Sequence, residues 1–126
     1  MAEDRRFSIT SRLASFSYAF AGIGILLREQ HNARVHLLAT ALVVGAGALC
    51  RVTMFEWALL ALAITGVWVA EAFNTAIELA CDAASPDYHP LVRKAKDVAA
   101  GAVLLSALGA AAIGALVFIP YWTASA

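Results

Sequence analysis

The chain has 126 residues, enough for one domain, and is 62% hydrophobic with a mean hydropathy of +0.77. Soluble domains carry only about 45–50% apolar residues, so this composition reads as a membrane protein. The formal net charge is zero and the few Lys and Arg are scattered, which excludes the basic footprint of a nucleic-acid-binding protein.

The first 20 residues carry Glu3, Asp4, Arg5, Arg6 and Arg12 and no compact apolar core with a cleavage site, so no cleavable leader is expected. From Phe7 to Glu29 an amphipathic period appears. Ile9, Leu13, Phe16, Phe20, Ile23 and Leu27 recur at steps of three and four, opposite Arg12 and several serines. This pattern predicts a helix over 7–29 lying in the membrane interface, with an extra core helix as the alternative. Next comes "VHLLATALVVGAGALC" (Val35–Cys50), which reaches spanning length if the helix starts at Asn32, giving a span over 32–50. The "GAG" at 45–47 reads as a close-packing spot between membrane helices.

"RVTMFE" (Arg51–Glu56) is a tight link to the second span, 55–81. That run is roughly 40 Å long as helix, at 1.5 Å per residue. "DAASPDYHPLVRKAKD" (Asp82–Asp97) is a longer polar connection, in which Pro86 and Pro90 break helix continuity. A third span, 98–120, lies in a stretch without charged side chains. Arg28, Arg34 and the N-terminal arginines precede the first span, Arg93, Lys94 and Lys96 precede the third, and Arg51 alone sits at the other end. Positive residues stay inside, so the N-terminus and the Asp82–Asp97 segment are expected in the cytoplasm and the C-terminus outside. Trp57, Tyr121 and Trp122 then fall at the outer interface as an aromatic belt. Cys50 and Cys81 have no metal-like spacing and lie near opposite membrane faces, too far apart to bridge. The glycines form no nucleotide-binding signature, and no repeat or low-complexity linker occurs.

The second span holds "EAFNTAIELACD", Glu71–Asp82. At 100° per residue Glu71, Asn74, Thr75, Glu78 and Asp82 fall within an arc of roughly 100°. A charge at the bilayer centre costs about 2.5–3.5 kcal/mol on insertion scales, so these carboxylates must face protein or water, or be neutralised. Carboxylate and amide oxygens suit Mg²⁺, which bridges to substrate phosphates. A carboxylate is also a general base. Arg93, Lys94 and Lys96 supply cations for phosphate beside an apolar bilayer. Acids, cations and lipid together point to a phosphotransferase acting on a lipid. Glutamates pairing with Arg or Lys to hold a bundle together are the structural alternative. A proton or ion conduit is a third reading, but its polar residues should run through the full membrane depth. Here the third span is apolar past Ser106 and the stripe fills half of the second.

"EAFNTAIELACD" followed by "DYHPLVRKAKDVAAGAVL" resembles the signature of the prokaryotic diacylglycerol kinase and undecaprenol kinase family, along a match from about Phe7 to Phe118. The resemblance implies a small all-α integral-membrane lipid kinase of the bacterial inner membrane. It would have a surface helix plus three spans, be assembled as a homotrimer with composite sites, and use ATP and Mg²⁺. By position it makes Glu71 the general base, Asn74 the neighbouring amide, Glu78 a metal ligand, and Lys96 with Asp97 the "KD" pair near phosphate. Asp82, Tyr88 and His89 fall where nucleotide contacts are expected, and His89 reads equally as a solvated loop residue. "NARVH" (Asn32–His36) resembles an NxRxH element of the undecaprenol branch. The pattern has a metal-binding glutamate two residues before that asparagine. Gln30 stands there, and Glu29, one residue earlier, is the candidate second metal ligand. One protomer is expected to have too little surface to enclose the whole Glu71–Asp82 stripe, so neighbours should complete it.

Overall fold

Four helices follow one another in the computed structural model, which describes residues 8–124: α1 (Ile9–Glu29), α2 (His31–Cys50), α3 (Met54–Ala84) and α4 (Pro90–Ala124). No strand occurs among the described residues. All four helices are long and apolar enough to cross a membrane, α1 included.

Ser8 caps α1, its side chain accepting from Ser11 N, while Phe7 lies outside the described residues. Most of the apolar stripe foreseen on α1 stays exposed, with Leu27 half-buried at its end. Ile9, Leu13, Phe16, Phe20 and Ile23 all stay more than half exposed, and Leu26 alone is buried. That face is free for lipid or another subunit, as an interfacial helix requires. One extended residue, Gln30, breaks α1 from α2. Arg34 closes the corner: Nη2 donates to Arg28 O at 2.6 Å and Nε to Leu27 O at 3.4 Å. It thereby satisfies carbonyls that a helix end leaves without partners.

The second corner is shorter than expected. Arg51 adopts the left-handed conformation (φ 53°, ψ 47°), and Val52 N donates back to Gly47 O at 3.1 Å. This is a Schellman turn with its apolar residue, Val52, buried in the core. Thr53 then starts α3 with a reciprocal capping box to Glu56. Only Arg51–Thr53 therefore separate two helices.

α3 and α4 extend beyond the foreseen spans at the polar end. α3 continues to Ala84 and α4 begins at Pro90, so only Ser85–His89 of the polar Asp82–Asp97 segment lies outside a helix. Pro90 starts α4 instead of interrupting a chain of turns. A first-turn proline needs no backbone N–H, and His89 Nδ1 accepts from Leu91 N at 3.2 Å. At 31 and 35 residues, α3 and α4 are about 46 and 52 Å long, against a hydrocarbon core of about 30 Å. Their ends must project into the headgroups and beyond. Pro120 lies inside α4 and does not end it.

These two helices form an antiparallel hairpin closed by a polar pair at each end. Near the turn Lys96 Nζ donates to Asp82. At the open end Tyr121 OH donates to Glu56 Oε2 at 2.6 Å. Val52, Leu60 and Val117 form the core beside that open end. α2 packs against α3, where Trp68 Nε1 donates to Thr40 Oγ1 at 3.0 Å. Of the "GAG" glycines, Gly47 is the one pressed by a neighbour. A Cβ there would come within 2.6 Å of the Trp57 ring, whereas Gly45 faces open space. Cys50 and Cys81 are both free thiols, at the C-terminal ends of α2 and of α3.

Candidate active site

The polar stripe on α3 is graded by depth and divided between two faces. Glu71, Asn74 and Thr75 are buried, Glu78 is half-buried and Asp82 is exposed. One protomer thus covers the deep half of the stripe, while Glu78 and Asp82 at its shallow end are left half-open and open. Glu71, Asn74 and Glu78 turn into a cleft of about 320 Å³ between α2, α3 and α4, lined also by Asn32, Val35, His36, Ala100, Val103, Leu104 and Ala107. Thr75, one position on from Asn74, turns instead toward α1, into a cleft with Ile23 and Leu26.

Glu71 is 1% exposed, and its Oε2 has no hydrogen-bond donor among the described residues. His36 Nε2 stands 3.6 Å from that oxygen, inside ion-pair range but beyond a hydrogen bond. Three residues further along the face, Asn74 Nδ2 donates to Glu78 Oε1 at 3.3 Å, which leaves Asn74 Oδ1 buried without a donor among the described residues. Buried oxygens of this kind cost free energy until something donates to them or coordinates them.

Lys96 reaches from α4 to Asp82 on α3, and precedes the apolar run that opens at Val98. The hydrogen bond to Asp82 holds the Lys96 ammonium above its ordinary pKa, with a further pull from Glu78. The lysine is therefore charged at neutral pH and within the field of the cleft's carboxylates. Its sequence neighbour Asp97 points elsewhere, 100° around the helix, and pairs with Arg93 at 3.5 Å on the exposed side. The "KD" pair thus splits between two faces. Tyr88 is 78% exposed in the α3–α4 turn, and His89 caps α4. Glu29 ends α1 on an exposed face and is not among the residues lining the polar cleft.

No group of three or more His, Cys, Asp and Glu side chains among the described residues forms a metal cage. The oxygens of Glu78 and Asn74 nevertheless fit Mg²⁺. That ion is commonly held by one or two carboxylates together with water and substrate phosphates.

A second, apolar cleft of about 250 Å³ runs between the same helices, along Thr40, Val43, Ile64, Val67, Ala110, Ala111, Gly114 and Phe118. It shares His36 and Ala107 with the polar cleft. An apolar groove therefore adjoins the cleft that holds the two carboxylates, with His36 and Ala107 lining both. Sequence reasoning did not place His36 in the site, although the signal was present. It is an ionisable side chain in an apolar span, four residues after Asn32 and so on the same helix face.

A family model described as prokaryotic diacylglycerol kinase matches residues 17–118. The chain is 36% identical over 119 residues to an undecaprenol kinase of Bacillus subtilis, covering 94% of this chain and 97% of that protein. It is 38% identical over 109 residues to a diacylglycerol kinase of Synechocystis, covering 86% of this chain and 62% of that protein. A diacylglycerol kinase of Helicobacter pylori is 35% identical over 79 residues, 63% of this chain and 61% of its own length. With a family match across most of its length, and with four helices fit to cross a membrane, the chain belongs to the prokaryotic diacylglycerol kinase family.

Proposed function

We propose that the chain is an ATP-dependent lipid kinase of the bacterial cytoplasmic membrane, transferring the γ-phosphate to the hydroxyl of undecaprenol or diacylglycerol. What supports this reading is that the apolar groove and the polar cleft adjoin at His36 and Ala107. A lipid alcohol can keep its chain in the apolar groove while its hydroxyl reaches Glu71. Phosphoryl transfer asks for positioning and charge neutralisation more than for covalent chemistry.

In the proposed reaction the lipid oxygen forms a bond to the γ-phosphorus and the bond to the bridging oxygen breaks, releasing ADP. Glu71 takes the hydroxyl proton. Glu78 lies two turns from Glu71 on α3, about 10 Å along the axis, and with Asn74 would hold the Mg²⁺ that accompanies the nucleotide. Bound there, the ion would neutralise phosphate charge. Lys96 would face the phosphates at the mouth of the cleft. Asp82, Tyr88, His89 and Asp97 surround the α3–α4 turn, where the rest of the nucleotide would lie. Glu29 remains a candidate second metal ligand, and reaching the cleft would require the end of α1 to shift.

The site end, with the Ser85–His89 turn, would face the cytoplasm, where ATP is. Undecaprenol is the acceptor we favour, because the undecaprenol kinase relative is matched over nearly its whole length. The test is a radiolabelled ATP assay on purified protein, offering undecaprenol and diacylglycerol side by side. Label in neither lipid would refute the kinase reading, and label in one identifies the acceptor.

A further inference from the structure

We infer that His36 is a positioning residue that orients the Glu71 carboxylate. The inference rests on the kinase reading and adds a residue to its site. Glu71 Oε2 is buried without a donor among the described residues, and His36 Nε2 faces it at 3.6 Å. A neutral imidazole carries its proton on one ring nitrogen, and a proton on Nε2 would meet that oxygen after an approach of a few tenths of an ångström. Such a contact commits Oε2 to the imidazole and leaves Oε1 to accept the proton of the acceptor hydroxyl.

The surroundings hold the imidazole to this task. One turn further along α2, Thr40 Oγ1 donates to His36 O at 2.7 Å and accepts from Trp68 Nε1 at 3.0 Å. Trp68 lies three residues before Glu71 on α3. The register between the two helices is thereby pinned one turn from the pair, so a small closure brings the ring onto the carboxylate without sliding α2. His36 is also common to both clefts and 18% exposed, so an acceptor chain passing toward Glu71 packs against the ring and excludes water from it. The charged group sharing the polar cleft, Glu78, is already engaged by Asn74.

The test compares two amides at position 36. In His36→Gln the amide nitrogen reaches about as far as Nε2, whereas in His36→Asn it stops near the position of Nδ1. Both are neutral and polar, and both can be followed by thermal melting in detergent. Misplacing a reacting group by about 1 Å can cost about 10²-fold in rate, and orienting partners typically contribute about 10–100-fold. His36→Asn should therefore lower kcat by about 10–100-fold with the KM for ATP unchanged, and His36→Gln should keep kcat within about threefold. On a Glu71→Gln background, His36→Asn should add less than about twofold, because the group it orients is gone. Equal activity of the two amide variants overturns the inference, as does an undiminished His36→Asn effect on the Glu71→Gln background. An inactive wild-type protein refutes the kinase reading itself. An active wild type with unaffected His36→Asn refutes the role of His36 alone.

Discussion

Glu71 and Glu78 occupy different environments on one helix face, and their substitution should separate in kinetics. Glu71 is enclosed and Glu78 half-open beside Lys96. Glu71→Gln keeps the shape and removes the proton acceptor. We expect kcat to fall by about 10²–10⁴-fold with nucleotide binding nearly intact. Glu78→Gln should instead weaken nucleotide binding in a Mg²⁺-dependent way and raise the Mg²⁺ requirement, read from kcat and KM across a Mg²⁺ titration. Both variants should still assemble, because a neutral amide is cheaper in an apolar interior than a carboxylate. If the glutamates only glue helices together, assembly in detergent and activity will fall in step. Well-assembled variants with wild-type kinetics would sink both assignments. A third residue tests packing alone. Gly47→Ala pushes a methyl against the Trp57 ring and should cost about 1–3 kcal/mol of stability, without a change in KM, since overpacking acts locally.

The helices report how much was legible beforehand and why. Their number and apolar character follow from hydropathy, and the carboxylates of α3 stood out because charge in an apolar span needs a reason. The limits of the helices were harder to read. Pro90 is a breaker by rule but a starter in context, because His89 caps the turn it opens. Polar composition hid helix over Asp82–Ala84 and Pro90–Asp97, since a helix end projecting from the bilayer need not be apolar. Angular arithmetic placed Asn74 and Thr75 together, yet which of two clefts each enters depends on where α1 and α2 pack. The α3–α4 hairpin carries the next prediction. Tyr121 and Glu56 join its open end, far from the cleft. Tyr121→Phe should therefore lower the melting temperature while leaving kcat and both KM values as in the wild type. A kinetic defect without a stability change would mean that the open end takes part in the reaction.

At the scale of the whole molecule, charge and exposed apolar surface set orientation and assembly. Arg28, Arg34, Arg93, Lys94 and Lys96 gather at the site end of the bundle, and Arg51 marks the other. Positive residues favour the cytoplasmic side, so a label at the C-terminus should react in intact cells. Labelling only after permeabilisation would put the cleft on the wrong side for ATP. One protomer already encloses Glu71 and Asn74, so the deep carboxylate gives no energetic reason for a neighbour. The reason lies nearer the turn, where Glu78 is half-open and Asp82 exposed; on α1, Phe16 and Phe20 are exposed as well. Lipid tails cover phenylalanines as well as protein does, so apolar exposure in a bilayer does not by itself demand a partner. A half-open carboxylate proposed to hold metal and phosphate would benefit from a wall that excludes water, because charges interact more strongly away from it. We therefore expect a homotrimer in which a neighbour closes the mouth of the cleft near Glu78. Mass measurement in detergent, with activity followed as the assembly is diluted apart, tests this. Activity should disappear with the trimer, and the KM for nucleotide should rise first, since the nucleotide end is the part left open. A monomer with full activity would show that the cleft of a single chain suffices.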